Sequence, residues 1–113
     1  MHELSVVMSI LDIAEEEAKA RNARKIEEIE LEIGKLSGVE IESLNFIWET
    51  AVENTILEGA HKYIQHIEGQ AWCPNCDQRF IIDQLFDPCP TCGNYFTNLL
   101  KGQELRVKSL VIA

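Results

Sequence analysis

The sequence has no apolar run close to the roughly 20 residues that a transmembrane helix needs, so we expect no membrane insertion. It also has no basic stretch followed by an apolar one near its start, so we expect no secretory signal. A chain without such a signal is expected to be cytoplasmic, in reducing surroundings where disulfides are rare. At 113 residues, with 46% hydrophobic and 26% charged residues, it suits one small folded soluble domain with a satellite module.

Basic residues are scarce in the first two thirds of the chain. Residues 1–69 hold 15 acidic and 6 basic side chains, whereas residues 70–113 hold 4 of each. A segment with a net charge of −9 repels phosphate backbones, which makes general nucleic-acid binding an unfavourable interpretation. All three histidines lie in the acidic part and all four cysteines in the neutral part. The two parts therefore have different chemistry.

Hydrophobic periodicity predicts two helices and two strands within residues 1–69, and a third strand near the end of the chain. A helical pattern covers about residues 4–21, with Leu4 and Met8 in its core stripe, and a second runs from Ile41 to Val52. Strict alternation over 28–33 predicts a half-buried strand with a solvated acidic face, and further strands are expected over 61–68 and 105–112.

These elements predict an α+β fold in which two helices pack on a small three-stranded sheet. The cysteine-containing segment interrupts it before the last strand, so we expect an inserted zinc-ribbon module. The predicted boundaries give an α/β domain over 1–69 and 102–113 and a ribbon domain over 70–101. Gly69 and Gly102 are the expected hinges between them.

The four cysteines form two Cys-x-x-Cys motifs, at Cys73–Cys76 and Cys89–Cys92, with twelve residues between the motifs. Each motif can form a tight turn that directs two thiolates at one ion, and two turns complete a tetrahedral zinc shell with Zn–S distances of about 2.3 Å. We expect Arg79–Phe86 to supply the aromatic and aliphatic residues of the hairpin between the motifs, and Gly93 to adopt the positive φ that often follows such a motif. A closed shell of this kind is structural and leaves no position for catalysis.

Other interpretations of the cysteines are possible. Two disulfides are disfavoured because the compartment is expected to be reducing, and a redox-active pair usually occurs as one motif rather than two matched ones. Iron binds in the same four-sulfur geometry, so the spacing does not distinguish iron from zinc. Zinc ribbons also occur in nucleic-acid or transcription adaptors, and this is the alternative function. Against this alternative, residues 70–113 contain only four cations and an equal number of acids, and the cations form no basic stripe. They are Arg79, Lys101, Arg106 and Lys108.

The start of the chain, Met1-His2-Glu3, is a second candidate metal site. A free α-amine on Met1, the His2 backbone nitrogen and the His2 imidazole can close fused chelate rings on one ion, with Glu3 as a fourth donor. Such a nitrogen-rich shell suits Ni(II) or Cu(II), and copper has the higher intrinsic affinity. The competing interpretation is that His2 is simply a solvated residue near a chain end.

Several segments in order along the chain resemble the HypA/HybF nickel metallochaperones of [NiFe]-hydrogenase maturation. They are Met1–Ser5, Leu31–Val39, Gly59-Ala60, the paired Cys-Pro-x-Cys motifs and Glu104–Ser109. The resemblance implies a two-lobed protein that carries Ni(II) as cargo toward the hydrogenase large subunit and works with the GTPase HypB. We expect no enzymatic activity, because the sequence shows no nucleophile–base constellation and no phosphate-binding loop. A monomer or weak homodimer is expected.

The resemblance also assigns residues. It implies nickel binding by His2 and Glu3, to which the chelation argument adds the Met1 amine. It also points to Glu40, where an acidic residue follows Ser-Gly-Val. For Glu40, a favourable charge near the start of a helix is an equally good explanation. The structural zinc ligands implied are Cys73, Cys76, Cys89 and Cys92.

Overall fold

The computed structural model describes residues 2–113, and Met1 lies outside the described residues. Two helices and two three-stranded sheets make up the regular structure of this part of the chain. Along the sequence they are α1 (Glu3–Ala20), β1 (Ile26–Gly34), α2 (Ile41–Ala51), β2 (His61–Ile67), β3 (Gly69–Cys73), β4 (Gln78–Ile82), β5 (Asn98–Lys101) and β6 (Leu105–Ile112). The predicted α+β class, with a four-cysteine insertion before the last strand, is confirmed.

Helix α1 buries most of its predicted apolar stripe, including Val7, Leu11, Ala14 and Ala18, but not the whole of it. Leu4 and Met8 are 56% and 45% exposed, so the prediction that they belong to the core is wrong. Apolar residues of α1 occur on more than one face of the helix. The buried face is made of Val6, Val7, Ile10, Leu11, Ala14 and Ala18. The helix ends where predicted, because Asn22 adopts a positive φ of 54° and Ala23 donates its N–H to the Ala18 carbonyl.

The first sheet has the order β2–β1–β6, with β1 in the centre. Ala113 donates its N–H to Lys25 and Gly34 donates to Glu104, so β6 runs antiparallel to β1. The aliphatic side of β1 is buried as predicted, and it contributes Ile29, Leu31 and Ile33 to the core.

The acidic face of β1 is less solvated than expected. Glu32 is only 8% exposed and pairs with Arg106 of β6. Glu30 lies 3.8 Å from the Lys108 ammonium and accepts a hydrogen bond from Ser109. Cations on the neighbouring strand therefore neutralise the glutamates that alternation alone placed in solvent.

The second sheet has the order β4–β3–β5. Strand β3 pairs antiparallel with β4, from Gly69 opposite Ile82 to Cys73 opposite Gln78. The hairpin joins β3 to β4, and the first cysteine motif is its turn. The predicted segment Arg79–Phe86 contributes most of β4 to this hairpin, and its remainder follows the strand. Strand β5, which the sequence pattern did not indicate, also pairs with β3.

The chain forms two compact units. The first comprises the chain up to Glu32 with Val39–Gln65 and Arg106–Ala113; the second comprises Ile33–Gly38 and His66–Leu105. Within the second unit, a Cβ added to Gly34 would lie 1.9 Å from the Gly102 carbonyl oxygen, so only glycine fits there. No helix among residues 2–113 is both long enough and apolar enough to cross a membrane.

Candidate metal sites

The two cysteine motifs have matching backbone geometry. Cys73 accepts a hydrogen bond from the Asp77 N–H, and Cys89 accepts one from the Gly93 N–H, both at 2.8 Å. Asp77 and Gly93 close these turns with φ of 53° and 75°, which confirms the positive φ expected of Gly93. Each turn therefore directs its pair of sulfur atoms to the same side.

The four sulfur atoms lie within 4.8 Å of one another. Cys73 Sγ is 3.7 Å from Cys92 Sγ, and Cys89 Sγ is 4.0 Å from Cys76 Sγ. A tetrahedron with Zn–S bonds of about 2.3 Å has edges of about 3.8 Å. These separations fit a zinc shell, whereas a disulfide requires about 2.05 Å. Each short contact joins one cysteine from each motif, so an ion here ties the two turns together.

The environment of the sulfurs favours a bound cation. Backbone N–H groups of Cys92 and Thr91 outweigh the effect of burial and lower the pKa of the Cys89 thiol to about 7. A hydrogen bond with Cys92, together with burial, raises the pKa of Cys76 to about 12. Sulfurs this close cannot all be ionised without a positive charge between them. Four thiolates are therefore compatible only with a metal at the centre of the cluster.

The proposed nickel residues lie at the first turns of the two helices. His2 is exposed and occupies the N-cap position of α1 without a capping hydrogen bond from its side chain, and Glu3 is the first residue of that helix. The Glu3 carboxylate accepts a hydrogen bond at 3.1 Å from the backbone N–H of Glu40, which is the N-cap of α2. The structure thus brings Glu3 and Glu40 together across 37 residues. Met1, the remaining predicted member, lies outside the described residues.

The Glu3–Glu40 contact could not be predicted from the sequence, since nothing in the residue spacing of either helix indicates that the two glutamates meet.

The other histidines, His61 and His66, are exposed on β2. Among residues 2–113 the four cysteines form the one group of at least three histidine, cysteine or acidic side chains close enough to share an ion. The assignment of nickel to residues 1–3 and Glu40 stays a prediction.

Comparison with known proteins covers nearly the whole chain. A family described as "Hydrogenase/urease nickel incorporation, metallochaperone, hypA" matches residues 1–112. The hydrogenase maturation factor HypA of Parabacteroides distasonis is 50% identical over 99% of this chain and 97% of its own length. The factor of the same name from Azotobacter chroococcum is 40% identical over 99% of both chains.

The fold agrees with the sequence relationship. The solution structure of the Ni metallochaperone HypA from Helicobacter pylori superposes with a TM-score of 0.70 at 30% identity, covering 99% of this chain and 97% of that one. The family match covers residues 1–112 of the 113, and the 50% identical relative aligns with 99% of the chain. The chain belongs to the HypA family.

Proposed function

We propose that this protein is a nickel metallochaperone that binds Ni(II) near its N-terminus and delivers it for maturation of [NiFe]-hydrogenase. The observation that carries the proposal is the contact between the Glu3 carboxylate and the Glu40 N–H. It joins the two separate segments to which nickel binding was assigned. The full-length similarity to HypA proteins supports the same function.

In the proposed site the donors are the Met1 amine, the His2 backbone nitrogen and imidazole, and Glu3. The hydrogen bond from Glu40 engages Oε2 of Glu3, which restricts the carboxylate and leaves Oε1 for the ion. Glu40 positions the Glu3 carboxylate through this N–H, and its own carboxylate is an additional ligand for the ion. His2 is exposed, and exposure suits a cargo ion that must be taken up and released. The net charge of −9 in residues 1–69 favours approach of a dication.

The four-cysteine cluster has a structural role in this proposal. Cys73, Cys76, Cys89 and Cys92 would hold zinc in a closed shell that leaves no coordination position for a substrate. We therefore propose that the protein is not an enzyme. We also propose that the α/β domain and the cysteine module fold independently, with the ion as the main stabilising element of the module.

The partners that fit this role are the GTPase HypB and the hydrogenase large subunit, met in the cytoplasm, with the chaperone as a monomer or weak homodimer. The alternative, a zinc-ribbon adaptor for nucleic acid, receives no support. Of the four cations after residue 70, Arg106 and Lys108 pair with Glu32 and Glu30. The other two, Arg79 and Lys101, are too few to form the basic stripe that a phosphate backbone requires.

A complementation experiment tests the function. Cells that lack the gene should produce a hydrogenase large subunit without nickel, measured by metal analysis of the purified subunit. The wild-type chain should restore nickel, His2→Ala should fail, and His61→Ala is the matched control that should restore it. Equal restoration by both histidine variants would contradict the proposed role of the N-terminal site.

A further inference from the structure

Helix α2 carries an exposed aromatic residue on an acidic face. Glu42, Phe46 and Glu49 are spaced by four and three residues, so they lie on one side of the helix. Phe46 is 86% exposed, whereas Leu44 and Trp48 on the other side are almost completely buried. The burial of Leu44 and Trp48 fixes which face α2 presents to solvent. We call Glu42, Phe46 and Glu49 the acidic α2 face.

The carboxylates of this face form no direct ion pair among residues 2–113. Within residues 2–113 no lysine or arginine forms an ion pair with Glu42 or Glu49, in contrast to α1, where Glu17 pairs with Arg21 at 3.8 Å. Lys62 is the nearby cation. It interacts electrostatically with Glu49, and other groups engage it as well. Its ammonium donates to Asn45 at 2.5 Å and lies 5.3 Å from the centre of the Trp48 ring. One lysine therefore opposes three glutamates of the adjoining groove, Glu49, Glu53 and Glu58, and the excess negative charge is open to an external partner.

A groove of about 560 Å³ continues this face at the C-terminal end of α2. Glu49, Glu53 and Glu58 line it, and Trp48 contributes an apolar wall. Lys62 and His61 also line the groove, so acidic side chains outnumber its single lysine. Glu58 is held in place by accepting the Asn54 N–H at 2.9 Å. The groove has room for long side chains, and its acidic rim suits those of lysine and arginine.

We propose that the acidic α2 face and its groove are a docking surface for another protein whose contact surface carries lysine and arginine around an apolar depression. Phe46 is the anchor that fills the depression, and Glu42, Glu49 and Glu53 pair with the surrounding cations. Exposed aromatic side chains often supply the largest share of binding energy, and complementary charges increase the association rate.

Charge selects this occupant over the other candidates. A second copy of this chain also has a net charge of −9 and is repelled, and a nucleic acid is repelled for the same reason. The face starts two residues after Glu40, so a docked protein lies beside the proposed nickel site. That docking serves the transfer of nickel rests on the proposed function. The existence of the docking surface does not depend on that function.

The partner can be identified by photocrosslinking in cells of the source organism. A benzoylphenylalanine placed at Phe46 should attach to a protein segment with a net positive charge, sequenced by mass spectrometry. The same group at Phe96, which is 88% exposed on the cysteine module, is the control for non-specific capture. Attachment to a neutral or acidic segment, to a second copy of this chain, or to nothing overturns the proposal.

The captured protein is then purified and its affinity is measured against variants. Glu49→Lys with Glu53→Lys, and separately Phe46→Ala, should each weaken binding at least tenfold and leave the melting temperature unchanged. Glu15→Lys with Glu16→Lys, two exposed glutamates on α1, is the matched control and should have little effect. A lysine-to-glutamate change in the captured segment should restore binding to the Glu49→Lys, Glu53→Lys variant. Equal weakening by test and control pairs overturns the proposal.

His2→Ala separates this inference from the proposed function. Docking should be unchanged in that variant, because His2 is not part of the acidic α2 face. If the wild-type chain fails to bind nickel but still docks, the nickel proposal fails and the docking surface stands. If it binds nickel but the charge reversals leave docking intact, the docking surface fails alone.

Discussion

Replacing one zinc ligand, Cys76→Ser, should unfold the cysteine module and leave the helices intact. Cys76 is partly exposed, so serine fits its position and the loss reports on the metal rather than on packing. From Gly69 to Lys101 the core contains few apolar side chains: Ala71, Cys73, Ile82 and Cys89. Fully burying an isoleucine contributes at most about 3 kcal/mol. A structural zinc site contributes about 10–16 kcal/mol. The metal therefore dominates the stability of this module.

The assay is amide hydrogen exchange followed by mass spectrometry, with zinc measured on the same sample. In Cys76→Ser, zinc should fall well below one per chain and β3 and β4 should lose protection, while α1 keeps its protection. Asn75→Ser, an exposed non-ligand in the same turn, should behave as the wild type. Full zinc with protected β3 and β4 would refute the dominance of the metal. Loss of protection throughout α1 would refute the independence of the two domains.

Other substitutions test the packing and the proposed ligand set. Gly34→Ala should lower the free energy of unfolding by about 3 kcal/mol, because its Cβ meets a backbone oxygen at 1.9 Å. Gly59→Ala, with open space but a positive φ, should cost only about 1 kcal/mol in the same urea titration; equal losses would contradict the clash. Arg106→Ala leaves the Glu32 carboxylate buried without its partner and should cost about 1–3 kcal/mol by urea titration; no loss would contradict the pairing. Glu3→Gln should weaken nickel binding in calorimetry without changing zinc content, and an unchanged nickel affinity would remove Glu3 from the ligand set.

Much of the fold follows from local pattern. The extents of both helices and of β1 were predictable to within about two residues, because apolar spacing at 3.6 or 2 residues is a direct consequence of burying one face. The convergence of the four cysteines was predictable because two Cys-x-x-Cys turns place their sulfurs with little freedom.

The remaining features depend on contacts between distant residues. Strand β5 has all four residues exposed, so it carries no alternation of polar and apolar side chains, and its pairing with β3 defines it. The burial of Glu32 depends on Arg106, 74 residues away. The contact of Glu3 with Glu40 depends on how α1 and α2 begin side by side. Which face of α1 is buried was also settled by its neighbours, since Leu4 and Met8 satisfy the same spacing as the core residues.

Nickel titration of protein with a native N-terminus tests the central claim most directly. Isothermal calorimetry should compare the wild type, His2→Ala, a form with an N-terminal extension, and His61→Ala as the control. His2→Ala removes the imidazole and its chelate ring, so nickel affinity should fall at least tenfold, about 1.4 kcal/mol. The extension should act almost as strongly because it converts the free amine into an amide, while zinc content and the His61→Ala affinity stay at wild-type values. Equal nickel affinities in all four proteins would contradict the N-terminal site and the chaperone mechanism built on it.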